Sequence, residues 1–173
     1  MDPTGTPSRP TRETGRRHGS LAPYGRYPDR VRLTERDALK RFRDARVARL
    51  ATVSEDGQPH LVPVTFALAP DSPEPVAVFA IDHKPKTTTN LRRLRNIAAT
   101  GRISLLADEY SEDWTRLWWV RLDGSARILT EPPDRAAPIA WLSAKYPQYQ
   151  GNPPQGPVVR IAVRTISGWA YTG

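Results

Sequence analysis

Apolar residues alternate with polar ones at a period of two through most of the chain beyond Val47, which predicts strands over 47–53, 60–68, 76–81, 102–108, 115–122, 125–130, 157–163 and 167–171. Two Asp-Gly pairs, Asp56-Gly57 and Asp123-Gly124, fall between neighbouring runs and suit the positive φ of a tight hairpin, so antiparallel pairing is expected. Helical periodicity interrupts this pattern three times. The first helix starts at Thr34 as N-cap with Asp37 three residues on, and gathers Ala38, Leu39, Phe42 and Ala45 on one face. The second follows Thr87, Thr88 and Thr89 and is basic; the third covers 134–146, with Ala137, Ile139, Ala140, Leu142 and Ala144 as its apolar positions. Residues 146–154, rich in Tyr, Pro and Gly, read as a loop. About seven short strands with a few helices predict a mainly β fold, a closed or partly closed β-barrel with flanking helices.

Composition changes this picture at the N-terminus. Residues 1–32 are rich in Pro, Gly, Ser, Thr and Arg, carry few aliphatic side chains and hold seven arginines against three acids, so they read as a disordered basic tail ahead of one domain over 33–173. Half of the net charge of +8 sits on that tail, which weakens the case that overall basicity signals a nucleic-acid partner. There is no cysteine, which excludes disulfides, thiol nucleophiles and thiolate metal sites. No apolar run reaches 18 residues and no signal-peptide core stands at the start, so a cytoplasmic protein with no membrane partner is expected.

Charge is most uneven between His83 and Ala107, where Lys84, Lys86, Arg92, Arg93, Arg95 and Arg102 face no carboxylate in sequence. The remainder of 33–173 carries 13 cations against 15 carboxylates, so this stretch is the place to expect a compact anion such as a phosphate. Lys84 and Lys86 flank Pro85, which stiffens the loop, and the three threonines offer hydroxyls near a helix start, where free N–H groups and the helix dipole favour an anion. A solvated helix face is the other reading of Arg92, Arg93 and Arg95. A Gly-rich Walker or dinucleotide loop is absent from the sequence.

The segments ARLATVSEDGQPHLVPVTFAL, FAIDHKPKTTTNLRRLRNIAATGRISLLAD and WWVRLDGSARI closely resemble the FMN-binding split β-barrel family that includes the pyridoxamine 5'-phosphate oxidases. Within it they are most similar to an actinobacterial branch of reductases that use the deazaflavin coenzyme F-420. The resemblance covers about 33–171 and implies a six-stranded split β-barrel of the FMN-binding type, assembled as a homodimer with a cofactor at each subunit interface. It implies that Lys84, Pro85, Lys86 and Thr87, with Asn90, grip the cofactor phosphate, that Phe79, Ala80, Ile81 and Asp82 run beside the ring, that Pro63, Val64 and Thr65 lie near it, and that Trp118 and Trp119 face the dimer cleft. The implied function is transfer of a hydride from coenzyme F-420 to an electron-poor small-molecule substrate. An FMN-dependent oxidoreductase and a non-catalytic flavin or deazaflavin carrier are the alternatives. The oxidases' Ser-Arg-Lys run is replaced here by Lys84-Pro85-Lys86, and their C-terminal arginine motif has no counterpart in SGWAYTG, which speaks against vitamin B6 oxidation.

The remaining polar residues add little. His18 lies in the tail, His60 opens a strand, and His83 adjoins the lysine loop, where it is a candidate for contact with a phosphate or ring edge. Asp108, Glu109, Glu112 and Asp113 form an acidic run whose ordinary reading is solvation, although paired carboxylates also serve acid–base and cation-binding roles. Trp114, Trp118, Trp119, Trp141 and Trp169 are expected mostly in the core or at a dimer contact.

Overall fold

The structure is a computed structural model that describes residues 31–70, 72–81 and 91–171. The calls on residues 1–30, and on Asp82, His83, Lys84, Pro85, Lys86, Thr87 and Asn90, therefore lie outside the described residues. Among the described residues the chain forms β1 (Val31–Arg32), α1 (Glu35–Asp44), β2 (Ala48–Val53), β3 (Pro59–Val64), β4 (Ala67–Leu68) and β5 (Val76–Ala80). It continues through α2 (Arg92–Thr100), β6 (Arg102–Glu109), β7 (Trp118–Leu129), α3 (Pro132–Lys145) and β8 (Val158–Ala170). No helix among the described residues is long and apolar enough to cross a membrane.

All pairing is antiparallel, in the order β3-β2-β6-β7-β8-β5-β4, with β1 added to β8. β3 and β4 stand at the two ends of this path, yet only Thr65 and Phe66 separate them in sequence. Three residues of extended chain reach about 11 Å at most, so the sheet must curl until its ends nearly meet. The result is a curled antiparallel half-barrel with three flanking helices, as the predicted mainly β class requires. The single strand expected over 60–68 is thus two strands, because the chain leaves β2 at Val64 and joins β5 at Ala67.

Two further expectations change. Asp123-Gly124 is no hairpin turn: β7 runs straight through it, with a bulge where its register against β8 shifts. Gly124 is required by close approach, since a Cβ there would overlap the Ala162 carbonyl. The runs 157–163 and 167–171 likewise join into the thirteen residues of β8. Asp56-Gly57, in contrast, makes the expected β2–β3 turn, with Gly57 at φ 85° and its N–H donating to Ser54 O. The sheet also begins two residues earlier than the domain boundary drawn from composition, because Val31 and Arg32 pair with Ala170 and Trp169.

The barrel interior holds Leu50, Ile103, Leu105, Val120, Leu122, Phe79 and Ile161, capped by Phe42 and Ala38 of α1 and Ile97 of α2. Thr34 caps α1 as expected, accepting from the Asp37 N–H at 3.1 Å. α2 starts at Arg92 with Leu91 as its cap residue and no side-chain cap bond. Inside, buried Asn96 donates to Thr52 Oγ1 at 3.0 Å and ties α2 to β2. α3 packs on the other side of β4, β5 and β8 through Leu142 and Tyr146; Ala137, Ala140 and Ala144, expected on its apolar face, are exposed.

Candidate functional site

The period-two alternation of β2, β3, β6 and β7 sends every second residue outward, onto a face that no helix among the described residues covers. There Arg49, Ala51, Leu61, Ser104, Leu106, Asp108, Tyr110, Trp119 and Arg121 line an open groove of about 700 Å³. Leu61 is 65% exposed and Tyr110 68% exposed, so the groove is apolar and uncovered. Pro63 lies on this outer face of β3, whereas Val64 turns inward and is buried. Arg49 and Asp108 pair across it at 2.6 Å with an angle poor for a hydrogen bond, and Arg121 Nε donates to Asp123 Oδ2 at 2.9 Å. The charges at its edge are thus internally matched.

Trp118 and Trp119 do not share a face. Trp118 packs against the core edge, donates from Nε1 to Glu109 Oε2 at 3.2 Å and lies 5.9 Å beneath the Arg41 guanidinium; Trp119 alone enters the groove. The acidic run has structural partners. Glu109 accepts from Arg116 at 2.6 Å, Asp108 faces Arg49, and Asp113 caps the short 3-10 turn at Trp114–Arg116. Among the described residues no three His, Asp or Glu side chains are grouped as a metal would need.

A second group forms around the β3–β4 crossing. Thr65 Oγ1 and Tyr149 Oη lie 3.0 Å apart in a hydrogen bond. The Tyr146 hydroxyl accepts from the Phe66 N–H at 3.0 Å and lies 2.9 Å from Phe66 O and 2.8 Å from Arg46 O. With one proton it donates to one of these carbonyls at a time. Burial pushes its pKa up, so it stays protonated. Lys145 Nζ donates to Ala45 O at 2.7 Å and sits 3.8 Å from the Phe66 ring centroid, and burial, then Arg46, lower its pKa to about 8. Of the ring-flanking candidates on and just after β5, Phe79 has its side chain sealed in the core and offers only backbone, while Ala80 and Ile81 are half-buried.

A third group stands where α2 begins. Arg92 and Arg95 are exposed, and His60, across the ladder from Thr52, is pulled below its ordinary pKa by burial first and then by Arg92 and Arg93. Its Nδ1 is buried with no hydrogen-bond partner among the described residues. A polar atom in that position beside two guanidinium groups fits an anionic ligand. The stretch carrying Lys84 and Lys86 joins the second group, at Ile81, to the third, at Leu91. The contacts of 146–157 with the crossing escaped the sequence reading, and the only signal for them was the closely spaced pair Tyr146 and Tyr149 in a segment otherwise read as loop.

The fold has counterparts among solved structures. A FAD-binding protein from Mesorhizobium loti is 21% identical at a TM-score of 0.59, over 81% of this chain and 96% of that one. A FAD-binding protein from Mycobacterium smegmatis is 17% identical at 0.55, over 80% and 95%. A putative pyridoxamine 5'-phosphate oxidase from Corynebacterium glutamicum is 18% identical at 0.53, over 83% and 95%. At such identities the likeness is one of fold. No curated protein sequence matches the chain. The sequence profile described as pyridoxamine 5'-phosphate oxidase matches residues 35–170, nearly the whole described domain. On that match, the chain belongs to the pyridoxamine 5'-phosphate oxidase family.

Proposed function

We propose that this protein is a flavin-type oxidoreductase that works as a homodimer, and that its cofactor is the deazaflavin coenzyme F-420 with an electron-poor organic molecule as substrate. The observation that carries the reading is the cation-only stretch 83–107, which begins shortly after the half-buried Ile81 in sequence and runs through α2 into β6 in a fold of this family. FAD-binding proteins of the same fold support a flavin-like ligand. The finer choice of deazaflavin rests on Arg92 and Arg95, exposed beyond the lysine pair, because a ligand with carboxylates past its phosphate gains from an extended positive field.

Such a cofactor supplies two-electron chemistry, and the chain's own residues bind, orient and shield it. In this reading Lys84, Lys86 and Thr87, with Asn90, hold the phosphate, and His60 and Arg92 hold further negative charge. Ala80, Ile81 and Asp82 with Pro63, Val64 and Thr65 flank the ring, Phe79 contributing backbone alone. A second copy covers the Trp119 groove, which excludes water and removes an apolar patch from solvent.

Absorbance titration of the purified protein with coenzyme F-420, FMN and FAD separately tests the cofactor. Saturable uptake of F-420, at least tenfold tighter than FMN at low salt and less so as salt rises, is the expected result. Tighter binding of FMN or FAD at every ionic strength would overturn the deazaflavin choice and leave the flavin reading; uptake of none of the three would overturn both.

A further inference from the structure

The β4–β5 ladder ends at Ala67 and Val78, so beyond that pair the crossing at Thr65–Phe66 and the end of β5 part company. Both are candidate edges of the cofactor site, and no strand pairing fixes one to the other. Residues 146–157 contact both. At one end Tyr149 bonds Thr65, and Tyr146 satisfies the N–H of Phe66, a group that a continuing β2–β3 ladder would have paired with Arg46 O. In the middle, Arg135 of α3 donates from Nη2 to Pro154 O at 3.2 Å and Gln155 O at 2.9 Å, and Pro154 is buried. At the far end the Ile81 N–H donates to Pro157 O at 3.0 Å. Gly156 lies so close that a Cβ there would stand 2.5 Å from Ile81 O and 2.9 Å from Ile81 Cβ. Prolines 147, 153, 154 and 157 stiffen the segment between these anchors.

We propose that 146–157 is a strap that sets the spacing of the two protein edges of the cofactor site, with Tyr149 a positioning residue acting through the Thr65 hydroxyl. The inference rests on the flavin-type reading above. Ser143 Oγ donates to Tyr149 O at 3.3 Å and the Tyr146 ring meets the Tyr149 ring edge-on at 5.7 Å, so the Tyr149 phenol has a fixed origin from which to orient Thr65. A threonine hydroxyl so held presents its remaining hydrogen-bonding capacity in one direction, which suits the polar edge of a planar heterocycle.

The test is a double-mutant cycle on the full chain with Thr65→Val, Tyr149→Phe and the double variant, using coenzyme F-420, FMN and FAD as probes. The expected result is that Tyr149→Phe weakens binding of whichever probe the wild type takes up by about five- to tenfold and moves its visible absorption band, with a melting temperature within about 4 °C of wild type. The double variant binds no more weakly than Thr65→Val alone, because the tyrosine acts through the threonine. Gly156→Ala, which displaces Ile81 from the other end, weakens binding tenfold or more. Unchanged affinity and band position in Tyr149→Phe, or strictly additive losses in the cycle, would overturn the positioning role while the flavin-type reading stands. Failure of the wild type to take up any of the three probes would sink that reading, and the strap's assigned role with it.

Discussion

β6 and β7 carry two faces that differ in everything but backbone. Leu105, Val120 and Leu122 point inward and are fully buried, while Leu106, Trp119 and Arg121, their immediate neighbours, line an open groove. Apolar side chains are therefore sealed on one face and left partly open to solvent on the other. The inner face pays for the fold through burial at about 25 cal/mol per Å². The outer face contributes little of that kind within one chain, and its apolar residues have a use only if something else covers them.

That contrast can be broken most directly by truncation. Leu105→Ala should cost about 3 kcal/mol or more and lower the melting temperature by about 10 °C, whereas Leu106→Ala one residue on should cost under about 1 kcal/mol. Thermal unfolding of the two variants reads the difference; equal losses would mean that the outer face is packed within the chain. The next largest effect concerns ligand rather than fold. Replacing Lys84 and Lys86 with Glu should weaken cofactor binding well over tenfold, by removing charge-assisted phosphate contacts worth about 1.5 to 3 kcal/mol and adding repulsion, with the melting temperature of the ligand-free protein unchanged. The same reversal at Arg92 and Arg93 should do less in a parallel titration. Leu61→Asp puts a charge into the groove and should weaken self-association about tenfold in sedimentation without unfolding the chain. A wild-type protein that sediments as a monomer at micromolar concentration with cofactor present would remove the second copy from this face.

Sequence patterning shows the inner face plainly and the outer one only in part. Alternation in RISLLAD and WWVRL is a direct image of the pleat, so strand existence and core side were readable. The two Asp-Gly pairs show where local chemistry stops being decisive. Gly57 uses its freedom to turn, with positive φ, and Gly124 uses its missing side chain to let β8 come close; the dipeptide alone does not distinguish these uses. In β8, the exposed Arg164 and Thr165 read as a break because they interrupt the apolar pattern, although the strand continues through them, with Thr165 paired to Asp123 and Arg164 the extra residue at the bulge. Of the candidate site, the sequence shows the accumulation of charge over 83–107 but not the contacts made 80 or more residues apart, as between Thr65 or Phe66 and the tyrosines after α3.

The smallest expected effect lies at that junction. Lys145 titrates at about 8 in the folded chain against an ordinary 10.5, so between these values the unfolded chain binds more protons and stability rises with pH. Below pH 8 the cost of holding the charged amine half-buried is fully present, offset in part by its contacts with Ala45 O and the Phe66 ring. The melting temperature of the wild type should therefore gain slightly on Lys145→Met from pH 8 to pH 10. A gap that stays constant across that range would place the amine in solvent.

The pairing of Val31 with Ala170 has a consequence for how the chain can be rewired. Because the first and last strands of the domain lie side by side, a short linker could join residues 31 and 170 without crossing the barrel, and the chain could be reopened at the exposed Asp56-Gly57 turn, where no core side chain is lost. The permuted protein would begin on β3 and end on β2, with the hairpin between them converted from the most local contact in the sheet to the most distant in sequence. It should reach the same folded state more slowly, because closing β2 against β3 would then require nearly the whole chain to be ordered first.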